Sequence, residues 1–111
     1  MNVFDWLPIR FGSRGKALSL YKRGLARAKT HDREGAIDDY TTTIDMPGTP
    51  SDLRAMALYN RALAHAAAGD NPRGLDDLGT VLAMDDSPAN VKTLAKQKLA
   101  RMESRSRKSK V

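Results

Sequence analysis

Residues 20–28 read LYKRGLARA and residues 58–66 read LYNRALAHA, so the same stretch returns after 38 positions. The match continues to Met46 in the first copy and Met84 in the second, and 11 of the 27 aligned positions are identical. A fixed period of this length is typical of architectures in which helical hairpins stack, because no single unit can bury its apolar face alone. The repeat therefore predicts a duplicated helical hairpin.

Apolar residues in both copies recur at spacings of three and four, which predicts helices and no strand. Proline- and glycine-containing turns interrupt this pattern at residues 47–50, 69–72 and 85–88. Either Ser51 or Asp52 is expected to cap the third helix through its side chain. We expect an all-α fold of about five antiparallel helices, stacked as hairpins in a short α-solenoid.

The length of 111 residues suits one domain with a modest core. The expected segments, in chain order, are an apolar N-terminal segment (1–15), a helical domain (16–102) and a basic disordered tail (103–111). Within the helical domain the expected units are repeat one (about 17–47), repeat two (about 52–86) and a capping helix (about 88–102).

Small residues and one turn carry a family resemblance. Gly69-Asp70 joins the two helices of the second unit, Gly24 and Ala62 share one small position, and Ala36 and Gly74 share another. In these features the chain resembles the tetratricopeptide repeat family. The resemblance covers residues of about 17–102, although His31 replaces the first turn glycine and the period exceeds the usual 34. It implies a non-catalytic adaptor that binds a protein or peptide segment in a concave groove.

The resemblance also selects groove residues, which lie on the first helix of each unit. The expected groove positions are Tyr21, Leu25, Ala28 and Lys29 in repeat one, and Tyr59, Leu63, Ala66 and Ala67 in repeat two. Such a surface suits an apolar or amphipathic segment, with the tyrosines as anchors. The alternative is that these tyrosines and leucines belong to the core.

Some family members hold a partner's C-terminal carboxylate with a clamp of Lys, Asn, Asn, Lys and Arg. Asn60 matches the second Asn, and Lys92 with Lys96 are expected to supply the last two cations. Tyr21 and Leu25 occupy the first two clamp positions, which argues against a full clamp. Asn60 is then expected to be a structural residue that bonds backbone between helices, with a polar contact to the ligand as its second role.

The N-terminal segment concentrates large apolar residues ahead of the first repeat, namely Phe4, Trp6, Leu7 and Phe11. Exposed apolar patches of this kind are normally interaction sites. We expect the segment to cover its own array, to join two protomers as a homodimer, or to contact a foreign partner or an anionic membrane.

The net charge of +6 is concentrated at one end of the chain. Residues 1–88 are nearly neutral, whereas residues 89–111 contain eight Lys or Arg and only Glu103 as an acid. The tail suits nucleic acid or an acidic surface as an alternative partner, with sequence-independent phosphate contacts because it lacks aromatic residues. A merely solvating tail is the simpler interpretation.

Catalysis and cofactors find no support in the sequence. The chain has no cysteine, no phosphate-binding glycine loop and no metal-binding HExxH motif. Its adjacent aspartate pairs, Asp38-Asp39 and Asp76-Asp77, repeat with the hairpin and are expected on a solvated face. We therefore expect no enzyme activity and no cofactor. We also expect a cytoplasmic location, because the sequence has no cysteine, no apolar run long enough to span a bilayer and no pattern of a secretory signal.

Overall fold

A computed structural model describes residues 7–109 of the chain, and the side chains of residues 14–108. The described range contains five helices and no strand: α1 (Leu7–Lys29), α2 (Arg33–Asp45), α3 (Ser51–Ala67), α4 (Asn71–Ala83) and α5 (Ala89–Ser109). Helices adjacent in sequence pack against each other, and α3 also contacts α1 on one side and α5 on the other. The predicted all-α fold of stacked helical hairpins is confirmed.

The turns inside the two hairpins are built alike. His31 and Gly69, which occupy equivalent positions, both adopt a left-handed backbone, with φ values of 64° and 87°. Glycine takes this conformation at little cost, whereas His31 adopts it against its side-chain sterics. Asp32 and Asp70 then cap α2 and α4 by accepting backbone hydrogen bonds of 3.0 and 3.2 Å.

The connections that follow each hairpin are also equivalent. Thr49 Oγ1 donates to the Thr43 carbonyl at 2.8 Å, and Ser87 Oγ donates to the Val81 carbonyl at 2.9 Å. Both hydroxyl residues are buried, and each precedes a proline that leads into the next helix. The 38-residue register therefore continues into α5, which is the first helix of a third unit.

The expected cap of α3 is wrong in detail. The N-cap is Pro50, and no side chain accepts a hydrogen bond there. Asp52 accepts a bond only from the adjacent backbone amide of Leu53, at 2.9 Å. The chain enters α3 through the buried Thr49 contact, so the turn is fixed by the preceding loop.

Small residues allow the paired helices to approach closely. A Cβ atom on Gly24 would lie 2.6 Å from Cε1 of Tyr40, a fully buried ring on α2. The second unit has Ala62 and Leu78 at these two positions, so a larger first residue accompanies a smaller second one. The two pairs fill the same space in different ways, as expected for close-packed interiors.

Two apolar clusters form the core, one on each side of α3. The first joins α1 and α2 to α3 and contains Ala17, Tyr21, Ala36, Tyr40, Leu53, Ala57 and Ala64. The second joins α3 and α4 to α5 and contains Ala55, Leu58, Ala62, Leu78, Val81, Val91, Ala95 and Met102. Each unit thus buries its apolar face against the next, which is the principle of a stacked array.

Both ends of the helical domain differ from expectation. The first helix begins at Leu7, inside the predicted N-terminal segment, and α5 continues to Ser109. The prediction of a disordered tail from residue 103 is therefore wrong for residues 103–109. Arginine and lysine are good helix formers, and Arg107 and Lys108 in the last turn complement the helix dipole. None of the helices in the described range has the length and apolar character needed to cross a membrane.

Candidate functional site

An arginine–aspartate pair recurs in both hairpins and fixes the two helices of each unit. Arg23 donates to both carboxylate oxygens of Asp39 at 2.9 and 2.8 Å. Arg61 binds Asp77 in the same two-pronged manner, with both distances 2.8 Å. These hydrogen bonds lower the pKa of the Asp39 carboxyl and raise the pKa of the Arg61 guanidinium.

The predicted solvated face of paired aspartates is only half correct. Asp38 and Asp76 are exposed, whereas Asp39 and Asp77 are buried against arginines. Adjacent helical residues point about 100° apart, so one member of each pair faces solvent and the other faces the preceding helix. These buried carboxylates hold the scaffold together.

Tyr21 belongs to the core, and its prediction as a groove anchor is wrong. Its ring is 6% exposed and lies 6.0 Å from the Tyr40 ring, centroid to centroid. Burial raises the pKa of the Tyr21 hydroxyl. The pKa of the Tyr40 hydroxyl is raised to about 12 by burial and, to a lesser extent, by the nearby Tyr21 and Asp39. Asn60 Nδ2 donates to the Tyr21 hydroxyl and to the Met56 carbonyl, both at 2.9 Å.

A cavity of about 450 Å³ opens between the first helices of the two hairpins. Its apolar lining comes from both helices: Leu25 and Ala28 on α1, and Leu63, Ala64 and Ala67 on α3. Asn60, Tyr40 and the residues Lys29, His31 and Arg33 complete the wall. Six predicted groove residues therefore meet at one site, namely Leu25, Ala28, Lys29, Asn60, Leu63 and Ala67.

A second cavity, of about 280 Å³, lies between α3 and α5. It shares Leu63 and Ala67 with the first cavity, so the two adjoin across α3. Its other lining residues are Ala66, Asn71, Lys98, Met102 and Arg105. We call the two adjoining cavities the groove.

The remaining predicted groove residues lie elsewhere. Tyr59 is half-buried and packs on the core cluster around Leu58. Lys92 and Lys96 are on α5, but neither is among the residues lining the groove. In the 38-residue register they are equivalent to Arg54 and to the buried Leu58, which do not face the groove.

A different, polar cleft lies between α2, α3 and α4, on a face of α3 other than the one that carries Leu63. We call it the polar cleft; it has a volume of about 380 Å³ and is lined by Ile37, Thr41, Arg61, His65, Arg73, Asp76 and Asp77. Arg61 is already bound to Asp77 and to the Thr41 hydroxyl, the latter at 3.1 Å. Within the described residues, no three His, Asp or Glu side chains are grouped so as to hold a metal ion.

The residues predicted to mediate self-association lie outside the range of described side chains. Phe4 and Trp6 are outside the described residues, and so are the side chains of Leu7 and Phe11, whose backbone begins α1. The proposed covering, dimerising or membrane-binding role of this segment stays a prediction.

Sequence reasoning missed the three residues that α5 contributes to the groove, Lys98, Met102 and Arg105. Each stands 38 positions after a groove residue of α3: Asn60, Ala64 and Ala67 respectively. The signal was present in the repeat period. It was missed because α5 shares too few identities with α3 to reveal the register.

Searches against protein-family models, curated proteins and solved structures found no match to this chain.

Proposed function

We propose that this chain is a non-catalytic adaptor of the tetratricopeptide-repeat type, which binds a protein segment along the groove. The observation that carries the proposal is the 450 Å³ cavity whose walls come from two successive first helices. Leu25 and Leu63 line it while remaining only half-buried. Binding pockets in proteins are usually concave and lined by apolar side chains that remain partly exposed, as these leucines do.

The rigid surroundings of the cavity support this role. Leu25 lies on α1 two residues before Arg27, which donates to Asp39 at 3.1 Å, and Leu63 lies two residues after Arg61, which is bound to Asp77. These ion pairs tie each groove helix to its partner in the hairpin. A site on rigid helices loses less conformational entropy when a ligand binds.

Asn60 gives the apolar wall a polar end. Both hydrogen bonds donated by its Nδ2 atom are made within the scaffold, to Tyr21 and Met56. The side-chain oxygen is the part of the amide that suits a backbone amide donor of the bound segment. In this proposal Leu25 and Leu63 supply affinity, and Asn60 sets orientation.

The test is a selection of displayed random peptides on the immobilised full-length chain. Peptides that bind the wild type are then measured against Leu63→Ser and against Gly79→Ser, a matched change at an exposed α4 position with no atom within 4 Å of its would-be Cβ. Binding is expected to be lost with Leu63→Ser and retained with Gly79→Ser, while circular dichroism shows both variants helical. The proposal fails if no peptide is selected, or if the selected peptides bind Leu63→Ser as well as the wild type.

A further inference from the structure

The groove changes character from α3 to α5. On α3 its positions are mostly apolar, and the 38-residue register pairs each of them with a residue on α5. The pairs are Asn60 with Lys98, Leu63 with Arg101, Ala64 with Met102, Ala66 with Ser104, and Ala67 with Arg105. At three of these five positions α5 presents a cation.

The charges that line the groove differ from those that line the polar cleft. Lys98 and Arg105 line the second cavity of the groove, and Lys29 and Arg33 line the first. No described residue lining either cavity is acidic. Acidic residues line the polar cleft instead, among them Asp76 and Asp77. Glu103, the acid of α5, is equivalent to His65, which also lines the polar cleft.

We propose that the partner segment is acidic and amphipathic, and that it crosses α3 to reach α5. This inference rests on the proposed groove function and names the class of its ligand. Apolar side chains of the segment enter the two cavities on either side of Leu63, and its carboxylates pair with Lys98 and Arg105. A groove with cations and no acids attracts a negative ligand and excludes a positive one.

The mixed lining selects a protein over a nucleic acid. Met102, Leu63 and Ala66 give the second cavity an aliphatic wall directly beside Lys98 and Arg105. Nucleic acid supplies phosphates but no aliphatic group for such a wall, and its bases stack on aromatic side chains, which α5 lacks. A protein segment with leucines and glutamates satisfies both parts of the cavity.

The chain's own N-terminal segment fits this site less well. Residues 1–13 contain one acid, Asp5, and one base, Arg10, so the segment is not negatively charged. A separate acidic partner complements the cations better than a second copy of this segment does.

The experiment uses the peptides selected on the full-length chain, resynthesised with a fluorescent label. Their affinity is compared between wild type, Lys98→Glu/Arg105→Glu and Lys96→Glu/Arg107→Glu. The second pair is a matched control, because it makes the same change of charge on the same helix at exposed positions that do not line the groove. A labelled single-stranded DNA oligonucleotide serves as the nucleic-acid probe.

The expected result is enrichment of peptides that combine aliphatic residues with Asp or Glu. Lys98→Glu/Arg105→Glu should weaken their binding by about tenfold or more, and added salt should weaken binding to the wild type. The control pair should leave binding near the wild-type level. Selected peptides that depend on Leu63 but are neutral or basic would overturn this inference while leaving the proposed function standing.

Two other outcomes also decide the question. Tighter binding of the oligonucleotide than of any selected peptide, lost with Lys98→Glu/Arg105→Glu, would replace the acidic protein segment by nucleic acid. Equal loss of peptide binding with the test pair and with the control pair would mean that overall charge, and not the groove, attracts the ligand, which also overturns the inference.

Discussion

The side-chain amide of Asn60 donates a 2.9 Å hydrogen bond to the hydroxyl of Tyr21, 39 residues earlier in the chain. This bond links the first helix of one hairpin to the first helix of the next, on the side where the groove opens. Tyr21 is thereby held in the core between α1 and α2, and Asn60 acts as a structural residue between helices. The sequence predicts that Asn60 bonds backbone between helices. The bond between helices goes to a hydroxyl instead, and the backbone bond of Asn60, to the Met56 carbonyl, stays within α3.

The first prediction concerns the strength of that link. Asn60→Ala and Tyr21→Phe should each lower the free energy of unfolding by about 1 kcal/mol, because each removes one partner of a part-buried hydrogen bond. The double variant should cost less than the sum, since both changes remove the same bond. Urea unfolding of the four proteins measures this coupling, and strict additivity would contradict it.

The second prediction concerns the packing pair Gly24 and Tyr40, which is Ala62 and Leu78 in the second hairpin. Gly24→Ala should destabilise the fold by about 1–3 kcal/mol, because the new methyl group would collide with the buried Tyr40 ring. Adding Tyr40→Leu reproduces the Ala62 and Leu78 combination of the second hairpin and should recover much of the loss. Thermal unfolding measures both effects.

Gly79→Ala is the control for that experiment, because nothing lies within 4 Å of its would-be Cβ on the exposed face of α4. It should stabilise the protein by up to about 1 kcal/mol through helix propensity alone. If Gly24→Ala behaved like Gly79→Ala, the close contact between α1 and α2 would be refuted.

The third prediction is a loss of stability in acid that depends on Asp39. Hydrogen bonds from Arg23 hold the pKa of the folded carboxyl below its ordinary value, so the unfolded state takes up the proton first as the pH falls. The stabilisation is complete above about pH 4 and is lost as the pH falls through the lowered pKa. Unfolding free energies should decline more steeply in acid for the wild type than for Asp39→Asn, and parallel curves would exclude the ion pair as the cause.

The fourth prediction concerns alkaline pH. The pKa of Tyr40 is raised to about 12 in the folded chain from an ordinary value of 10.0, so its neutral form stabilises the fold below the lower value. That contribution is lost as the pH rises from 10.0 to about 12. A titration followed by phenolate absorbance should show a late step in the wild type that Tyr40→Phe lacks. Titration of Tyr40 near the ordinary value of 10.0 would show that its ring is not buried.

The repeat predicted most of the fold because helix caps, turns and buried ion pairs all recur with the same period. The same 38-residue offset relates the caps Asp32 and Asp70, the left-handed turns at His31 and Gly69, and the buried pairs of arginine with aspartate. What failed were the ends, where the pattern has no second copy for comparison. Loss of apolar periodicity in a basic stretch predicts disorder after residue 102, although lysine and arginine also favour helix.

The groove was predictable only in part. Leu25 and Leu63 follow from their place on the first helices, and both line the cavity. The tyrosines could not be assigned, because a period of three to four residues marks the apolar side of a helix without saying which part stays open. Tyr21 is closed off by Tyr40 and Asn60, and both contacts depend on the packing of separate helices.

The matching loops at Thr49 and Ser87 have a consequence for how the molecule can be lengthened. Each loop ends in a buried hydroxyl bonded to a carbonyl six residues earlier, followed by a proline and the start of a helix. The two junctions are therefore interchangeable, and an extra copy of residues 51–88 inserted after Pro88 would present α5 with the same neighbour that it has now. The length of the groove would therefore grow in steps of one hairpin, and the cationic α5 helix would remain at its end.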